Sequence, residues 1–162
     1  MRVAIVMGSA SDLPKMTDAI EFLKEFGVEV SVRALSAHRA HAALSEFLKE
    51  TETDGTEVII AAAGKAAHLP GVIASQTIKP VIGVPIKGSA LDGMDALLSI
   101  VQMPAGIPVA TVAIDGGKNA AILALQMMAI KHDDIRVKLQ QHRETMTQEA
   151  LDANAKIIEQ YQ

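Results

Sequence analysis

The strongest constraint on the fold is a repeated alternation between short β-rich runs and longer helix-like stretches. The five β-rich runs, each followed by small or polar residues and then a helical pattern, are Val3–Met7, Val28–Leu35, Val58–Ala63, Val81–Pro85 and Val109–Ile114. Runs such as Val3–Val6 and Val58–Ala61 lack polar alternation, which is typical of parallel strands that helices cover on both faces. Right-handed crossovers then predict an α/β fold with a three-layer, doubly wound parallel sheet, flavodoxin-like or Rossmann-like.

The length favours one domain with an additional helix at its C-terminus. A chain of 162 residues that is 49% hydrophobic suits one globular core and would be crowded as two. We predict a single α/β domain over residues 1–162, with its core at about 1–131 and a helical extension at about 132–160. Apolar residues recur in that extension at roughly helical spacing: Ile135, Leu139, Met146, Ala150, Ala153 and Ile157. This pattern predicts an amphipathic helix that packs on a partner, with packing inside the chain as the alternative.

Two earlier helices also have clear signals in the sequence. Leu13–Phe26 carries an apolar stripe and ends before Gly27, and Asp12 stands where it can cap the N-terminus of this helix. In Asn119–Ile130, Gln126 is the only polar residue after the first. A helix that is apolar all round favours burial against another subunit, so we predict a homo-oligomer. Burial within the chain is the alternative.

Composition argues against several classes of function. The formal net charge is −4, there is no basic block, and the aromatic residues are three Phe and one Tyr, so we expect no nucleic-acid binding. The absence of cysteine removes disulfides and thiolate metal clusters and favours the cytoplasm. Val3–Met7 is too short for a signal-peptide core, and no uninterrupted apolar run reaches the roughly 18 residues of a membrane span, so we expect no membrane association.

The turn after the first strand suits a phosphate and a ribose. In an open parallel sheet, ligands bind beyond the carboxyl ends of the strands, where helix N-termini offer free N–H groups. In Gly8-Ser9-Ala10-Ser11-Asp12, the two serines can donate to phosphate oxygens and Asp12 can accept from sugar hydroxyls. Ordinary helix capping is the alternative. The turn matches neither G-x-G-x-x-G nor G-K-[ST], so a mononucleotide fits better than a dinucleotide or a nucleoside triphosphate.

The turn after the second run, Ser36-Ala37-His38-Arg39, suggests anchoring combined with proton transfer. Arg39 offers a planar fork of donors for phosphate, and imidazole is the side chain whose unperturbed pKa lies closest to neutrality. A structural role for His38 is the alternative, but its place beside an arginine at a strand's carboxyl end favours chemistry. His41 could join His38 on a metal ion; without a third ligand, we predict no metal site.

The turn from Ala61 to Gly71 is rich in small residues and contains His68. Small side chains leave room for a ligand against the backbone, and Pro70 can open the next helix. His68 is therefore a candidate proton carrier or orienting donor, with tight packing of a small-residue turn as the alternative. Lys87, after the fourth run, is assigned no role because an exposed lysine is usually a solubilising charge.

These turns and a later segment form four ordered motifs: Gly8–Asp12, Ser36–Arg39, Ala66–Gly71 and Leu98–Pro104. Together they resemble the 5-(carboxyamino)imidazole ribonucleotide mutases of bacterial purine synthesis, and the likeness runs from Val3 to about Met128. The resemblance implies a cofactor-free isomerase with a flavodoxin-like fold, assembled as a homo-octamer with its sites at subunit interfaces. It also implies the reaction, in which a carboxylate moves from the exocyclic nitrogen to C4 of the imidazole ring, giving 4-carboxy-5-aminoimidazole ribonucleotide.

The same resemblance implies roles at matching positions. It places ribonucleotide binding on Ser9, Asp12 and Arg39, with Ser11 and Ser36 in support. It makes His38 the general acid/base of a decarboxylation followed by recapture of trapped CO2, with His68 lining the CO2 pocket. The small-residue loop would hold CO2 close, through Gly64, Ala66, Ala67 and Leu69.

Three departures from that family keep alternatives open. Ala40-His41 and Asp115–Lys118 differ from the usual pattern, and Lys65 stands where the mutases usually have glycine. The related aminoimidazole ribonucleotide carboxylases, which use free CO2, carry a basic residue in the corresponding turn, so a carboxylase is the alternative. We prefer the mutase because those relatives lack the Ala67-His68-Leu69-Pro70-Gly71 and Gln102-Met103-Pro104 patterns. A non-catalytic flavodoxin-like mononucleotide-binding module is a remote third hypothesis.

Overall fold

The computed structural model describes residues 1–161 and contains one five-stranded, all-parallel sheet in the order β2-β1-β3-β4-β5. The strands are β1 Arg2–Met7, β2 Glu29–Ala34, β3 Thr56–Gly64, β4 Val81–Ile86 and β5 Ala110–Thr111. This strand order is that of flavodoxin-like sheets. In such sheets the order of strand addition reverses between β1 and β3, and ligands bind at that point. The predicted fold class, a doubly wound parallel α/β sheet, is confirmed.

Helices cover both faces of the sheet and make it the middle of three layers. The helices are a short 3-10 helix at Ala10–Asp12, α1 Leu13–Glu25, α2 His41–Thr51, α3 Leu69–Ala74, α4 Met94–Val101, α5 Gly117–Met128 and α6 Asp133–Tyr161. One apolar core lies between the sheet and α1, α5 and the start of α6; the other lies between the sheet and α2, α3 and α4. Along β1, Val3 and Ile5 enter the first core while Ala4 and Val6 enter the second. Burial on both faces explains why the apolar runs of β1, β3 and β4 show no polar alternation.

The predicted fifth strand is much shorter than expected. Only Ala110–Thr111 forms a strand, paired with Ile82 and Gly83 of β4, whereas the prediction ran from 109 to 114. Pro85 is the next β4 residue that faces this edge; its carbonyl accepts from the N–H of Asp115 at 2.8 Å, but proline has no N–H to donate in return. The ladder therefore stops after two residues.

The prediction that Asp12 caps α1 is wrong. Asp12 has helical backbone angles and its side chain makes no capping hydrogen bond, because the 3-10 turn Ala10–Asp12 precedes the α-helix. Ser9 takes the capping position instead, and its Oγ accepts from the N–H of Ser11 at 3.3 Å. The carboxylate of Asp12 instead lies 3.5 Å from the Ser11 hydroxyl, which donates to it.

The last two helices differ in how far they pack against the sheet. Helix α5 buries Ala120, Ala124 and Leu125 inside the chain, and leaves Ile122, Leu123 and Met127 only partly buried. Helix α6 has 29 residues, of which Ile135 and Leu139 are buried, while His142 packs against the Phe22 ring and most of the others are exposed. The predicted C-terminal helix is present, while its partner and the oligomer stay predictions. Among residues 1–161, no helix combines the length and the apolar character needed to cross a bilayer.

Candidate active site

A cleft of about 600 Å³ lies beyond the carboxyl ends of β2, β1, β3 and β4, at the point where the strand order reverses. Its walls are the loops that follow these four strands. The residues lining it are Gly8, Ser9, Ser11, Asp12, Ser36, Ala37, His38, Arg39, Ala63, Gly64, Lys65, Ala66, His68, Leu69, Ile86, Lys87 and Gly88. All the predicted site residues except Ala67 are therefore brought together on one surface. Ala67 is 2% exposed and packs in the core beneath α2, α3 and α4.

The loop after β1 contributes hydroxyl groups and a half-buried carboxylate. The backbone N–H of Gly8 donates to the carbonyl of Ala62 at 2.9 Å and ties the loop to β3, and the hydroxyl of Ser11 donates to Ser9 Oγ at 2.8 Å. Burial raises the pKa of Asp12, and hydrogen bonds from Ser9 and Ser11 oppose that shift without cancelling it. A carboxylate that has lost water in this way gains from accepting hydrogen bonds from a ligand.

The loop after β2 holds His38 and Arg39 in a tight turn. The N–H of Ala40 donates to the carbonyl of Ser36 at 2.9 Å, and the N–H of Arg39 donates to the Ser36 hydroxyl at 3.3 Å. Ser36 thus fixes the backbone from which both side chains project, in addition to lining the cleft. Within residues 1–161, the Arg39 guanidinium forms no ion pair, so its donors are available to an anion.

The loop after β3 packs closely against the end of β4 and leads into α3. A Cβ on Gly64 would lie 3.2 Å from the carbonyl oxygen of Ile86, so a larger residue would press against the adjacent strand. Lys65 then adopts a left-handed backbone with φ of 56°, and the N–H of His68 donates to the carbonyl of Ala66 at 2.8 Å. Helix α3 starts at Leu69 with proline next, as the sequence predicts for Pro70.

The two histidines meet across the cleft. Nε2 of His38 lies 2.8 Å from Nδ1 of His68, and the two rings cross edge-to-face at an interplanar angle of 76°. One of these nitrogens must donate and the other accept, so the two rings share a proton at this contact. Nδ1 of His38 makes no hydrogen bond in the described part of the chain and is free to meet a ligand. The arrangement suits a single proton moved to and from a bound molecule.

Two lysines in the cleft were not among the predicted site residues. Lys87 lies at the end of β4; its amine is 3.3 Å from Asp92, and its N–H donates to Asp115 at 2.9 Å. Lys65 lines the cleft with no ion pair within residues 1–161. The signal for both was their position immediately after a strand of a parallel sheet, where binding residues concentrate.

A larger hollow, of about 780 Å³, lies at the opposite edge of the sheet and does not combine these groups. It is formed before β4 and β5, by loops around Gln76–Pro80 and Gly106–Pro108. Its charged residues, Glu52 and Lys79, face each other at 3.8 Å. The smaller cleft is the candidate active site because the acid/base pair, the free cations and the desolvated carboxylate all converge there. His41 begins α2 and lies outside the cleft, and residues 1–161 contain no cluster of three or more metal-ligating side chains.

The strand order and this cleft define a flavodoxin-like α/β protein with a pair of contacting histidines at the carboxyl edge of its sheet. The family model described as AIR carboxylase matches residues 2–149. The chain belongs to that family.

Sequence relatives within the family have two different names. The N5-carboxyaminoimidazole ribonucleotide mutase of Pyrococcus abyssi is 57% identical, with 90% of this chain and 83% of that protein covered. A phosphoribosylaminoimidazole carboxylase of Candida glabrata is 48% identical, with 96% of this chain but 27% of that longer protein covered. Among solved structures, Treponema denticola PurE has a TM-score of 0.88 at 30% identity, with 96% of this chain and 97% of that chain covered.

Proposed function

We propose that this protein is an N5-carboxyaminoimidazole ribonucleotide mutase, an isomerase of purine (IMP) biosynthesis. It converts the N-carboxylated nucleotide into 4-carboxy-5-aminoimidazole ribonucleotide without a cofactor. The observation that carries the proposal is the contact of 2.8 Å between His38 and His68 inside the cleft. Support comes from the mutase relatives, which match nearly the whole chain at 51–57% identity among the first five.

The loops after β1 and β2 bind the ribonucleotide in this proposal. Ser9 and Ser11 donate to phosphate oxygens, and the Arg39 guanidinium adds a charge-assisted contact. Asp12 accepts from the ribose hydroxyls, which restores hydrogen bonds to a carboxylate whose burial raises its pKa. Ser36 supports the turn that carries Arg39. The nucleotide is thereby held with its imidazole ring toward the two histidines.

His38 transfers one proton in each half of the reaction. Its imidazolium gives the proton on Nδ1 to the exocyclic nitrogen as the nitrogen–carbon bond to the carboxylate breaks, and the carboxylate leaves as CO2. The electrons of the broken nitrogen–carbon bond stay on the nitrogen, and the product of this half is aminoimidazole ribonucleotide. C4 then attacks CO2 to form the new carbon–carbon bond, and neutral His38 takes the C4 proton, whose electrons return to the ring. The proton is recovered, and His68 holds the His38 ring through Nε2.

The loop after β3 retains CO2 between the two halves. Gly64, Ala66 and Leu69 form a wall of small or apolar groups beside His68. A wall of this kind offers CO2 no nucleophile and keeps the gas near C4, where proximity makes recapture faster than escape. Ala67, buried behind the wall, sets its backbone position rather than contacting the gas.

An assay with two donors tests the mutase against the carboxylase that uses free CO2. The mutase converts the N-carboxylated nucleotide in CO2-depleted buffer, and its rate on that substrate does not rise with added bicarbonate. A carboxylase forms the same product from aminoimidazole ribonucleotide at a rate that follows the CO2 concentration. Turnover from aminoimidazole ribonucleotide plus CO2 alone would reject the mutase and leave the carboxylase.

We further propose that the enzyme is a cytoplasmic homo-octamer. The uncovered residues on α5 and α6 support assembly: Ile122, Leu123 and Met127 are only partly buried, and Met146 and Leu151 are 52% and 57% exposed. Light scattering at micromolar concentration gives the particle mass. A mass of one chain would reject any oligomer, and a stable mass of two or four chains would reject the octamer. Cell fractionation tests the compartment.

A further inference from the structure

Lys65 has a backbone conformation that its own side chain does not favour. Three non-glycine residues have positive φ: Lys65 at 56°, Asp92 at 52° and Asp115 at 56°. Aspartate tolerates this left-handed region because its short side chain bonds locally, whereas a lysine pays roughly 1 kcal/mol or more that a glycine avoids. A strained residue persists when its side chain or its surroundings compensate for the strain.

Ion pairs within the chain hold the side chains of the two aspartates, but none holds that of Lys65 in residues 1–161. Asp115 pairs with Lys15 at 2.7 Å and Asp92 with Lys87 at 3.3 Å. In residues 1–161, the Lys65 ammonium has neither an ion pair nor a hydrogen bond. Lys65 is exposed on the wall of the cleft, so its ammonium is available to an anionic ligand that binds there.

The position of Lys65 selects which ligand group it meets. It lines the cleft three residues before His68, on the loop proposed to hold CO2. The proposed substrate carries two anionic groups, a phosphate assigned to Ser9, Ser11 and Arg39 and a carboxylate that migrates at the imidazole end. The other lysine in the cleft, Lys87, is already engaged by Asp92. Lys65 is therefore the cation left for the carboxylate.

We propose that the Lys65 ammonium binds the migrating carboxylate and makes the site prefer carboxylated nucleotides over aminoimidazole ribonucleotide. This proposal rests on the proposed function. The ammonium attracts the carboxylate when it is bound to nitrogen or to C4 and has little hold on neutral CO2. It therefore favours recapture, and its loss lets more aminoimidazole ribonucleotide and CO2 escape. Lys65 is in this sense a specificity-determining residue.

Calorimetry with two stable nucleotides tests the proposal without relying on turnover. The ligands are the product, 4-carboxy-5-aminoimidazole ribonucleotide, and aminoimidazole ribonucleotide, which has the same phosphate and ribose but no carboxylate. We expect Lys65→Met and Lys65→Gly to weaken binding of the carboxylated nucleotide about tenfold and to change binding of the other by less than about twofold. Lys65→Arg, which keeps the charge, should retain most of the preference.

Two controls separate this effect from folding and from net charge. Glycine adopts the left-handed backbone without strain, so Lys65→Gly should not lower the urea midpoint of unfolding. Lys49→Met removes a charge from the exposed side of α2, outside the cleft, and should leave both affinities unchanged. In the mutase assay, Lys65→Met should release a larger fraction of turnovers as aminoimidazole ribonucleotide than the unaltered enzyme does.

Each contrary result has a distinct meaning. Equal weakening for both nucleotides would place Lys65 on the phosphate and overturn the proposal, as would unchanged affinity for both. If the unaltered enzyme binds neither nucleotide, the proposed function itself fails. If it binds both but does not prefer the carboxylated one, the nucleotide site stands and the role of Lys65 fails.

Discussion

Replacement of His38 by asparagine should remove catalysis while leaving the fold intact. Asparagine is polar and smaller than histidine, so the loop can accommodate it, but it cannot carry the transferred proton. General acid–base catalysis contributes typically 10²–10⁴-fold, so kcat should fall at least about a hundredfold, roughly 3 kcal/mol of barrier. His38 is an exposed loop side chain whose hydrogen bond is the contact with His68, so the free energy of unfolding should change by less than about 0.5 kcal/mol.

The measurement is initial-rate turnover of the N-carboxylated nucleotide, beside urea unfolding of the same preparations. His41→Asn is the matched control, since His41 lies three residues along the chain, is exposed, and does not line the cleft. Turnover of the His38 variant within about threefold of the unaltered enzyme would refute the acid/base role, given the hundredfold loss expected.

A double-mutant cycle tells whether His68 acts through His38. If His68 only orients the other ring, then His68→Asn should lower kcat in the unaltered enzyme but have almost no effect once His38 is asparagine. Independent, multiplicative losses would show instead that His68 has chemistry of its own.

Three other predictions follow from contacts in the structure. Arg39→Ala should weaken nucleotide binding more at low salt than at high salt, whereas Ser11→Ala should be insensitive to salt; equal and salt-independent losses by calorimetry would move the phosphate elsewhere. A Cβ on Gly83 would lie 2.4 Å from Ile100 Cγ2, so Gly83→Ala should destabilise the protein by about 1–3 kcal/mol in urea, and an unchanged midpoint would contradict that packing. Burial raises the pKa of Asp115, but hydrogen bonds from Lys15 and from the backbone of Lys87 outweigh it and hold the pKa below its ordinary value. Asp115→Asn should therefore cost about 0.5–1 kcal/mol at pH 7. That difference should disappear as pH falls below about 3.9 toward the folded pKa, and a difference that grows in acid would refute the assignment.

The sheet was predictable because its signal is local and repeated. Strands β1, β3 and β4 carry apolar runs bounded by turn residues, and burial on both faces accounts for their lack of polar alternation. Strand β2 alternates apolar and polar residues, and that pattern also indicates a strand. The predicted length of the fifth strand was wrong because that length depends on the neighbouring strand β4. Pro85 of β4 lacks the N–H donor that would extend the ladder. The prediction that Asp12 caps α1 was wrong for a related reason. A capping residue can be identified only when the first turn of the helix is known, and here a 3-10 turn moves the capping position to Ser9.

The grouping of most predicted residues in one cleft was predictable from the sequence, but the geometry of the cleft was not. Strand ends identify the loops, so the order of residues along the chain is enough to group Ser9, Asp12, His38 and Arg39. The distance between His38 and His68 depends on two loops that meet above a third strand, and sequence spacing does not encode that. The conformation of Lys65 was also unpredicted, because lysine rarely adopts a positive φ and its residue type gives no sign of one.

The two histidines follow strands that differ in how deeply they are buried. His38 follows β2, which lies at the margin of the sheet with only partly buried or exposed residues, while His68 follows β3, which is inside the sheet and almost wholly buried. Margins of sheets fray at lower temperature than their centres. On warming, catalytic activity should therefore fall before the circular-dichroism signal does. The reason is that His38 moves away from His68 while most of the molecule is still folded.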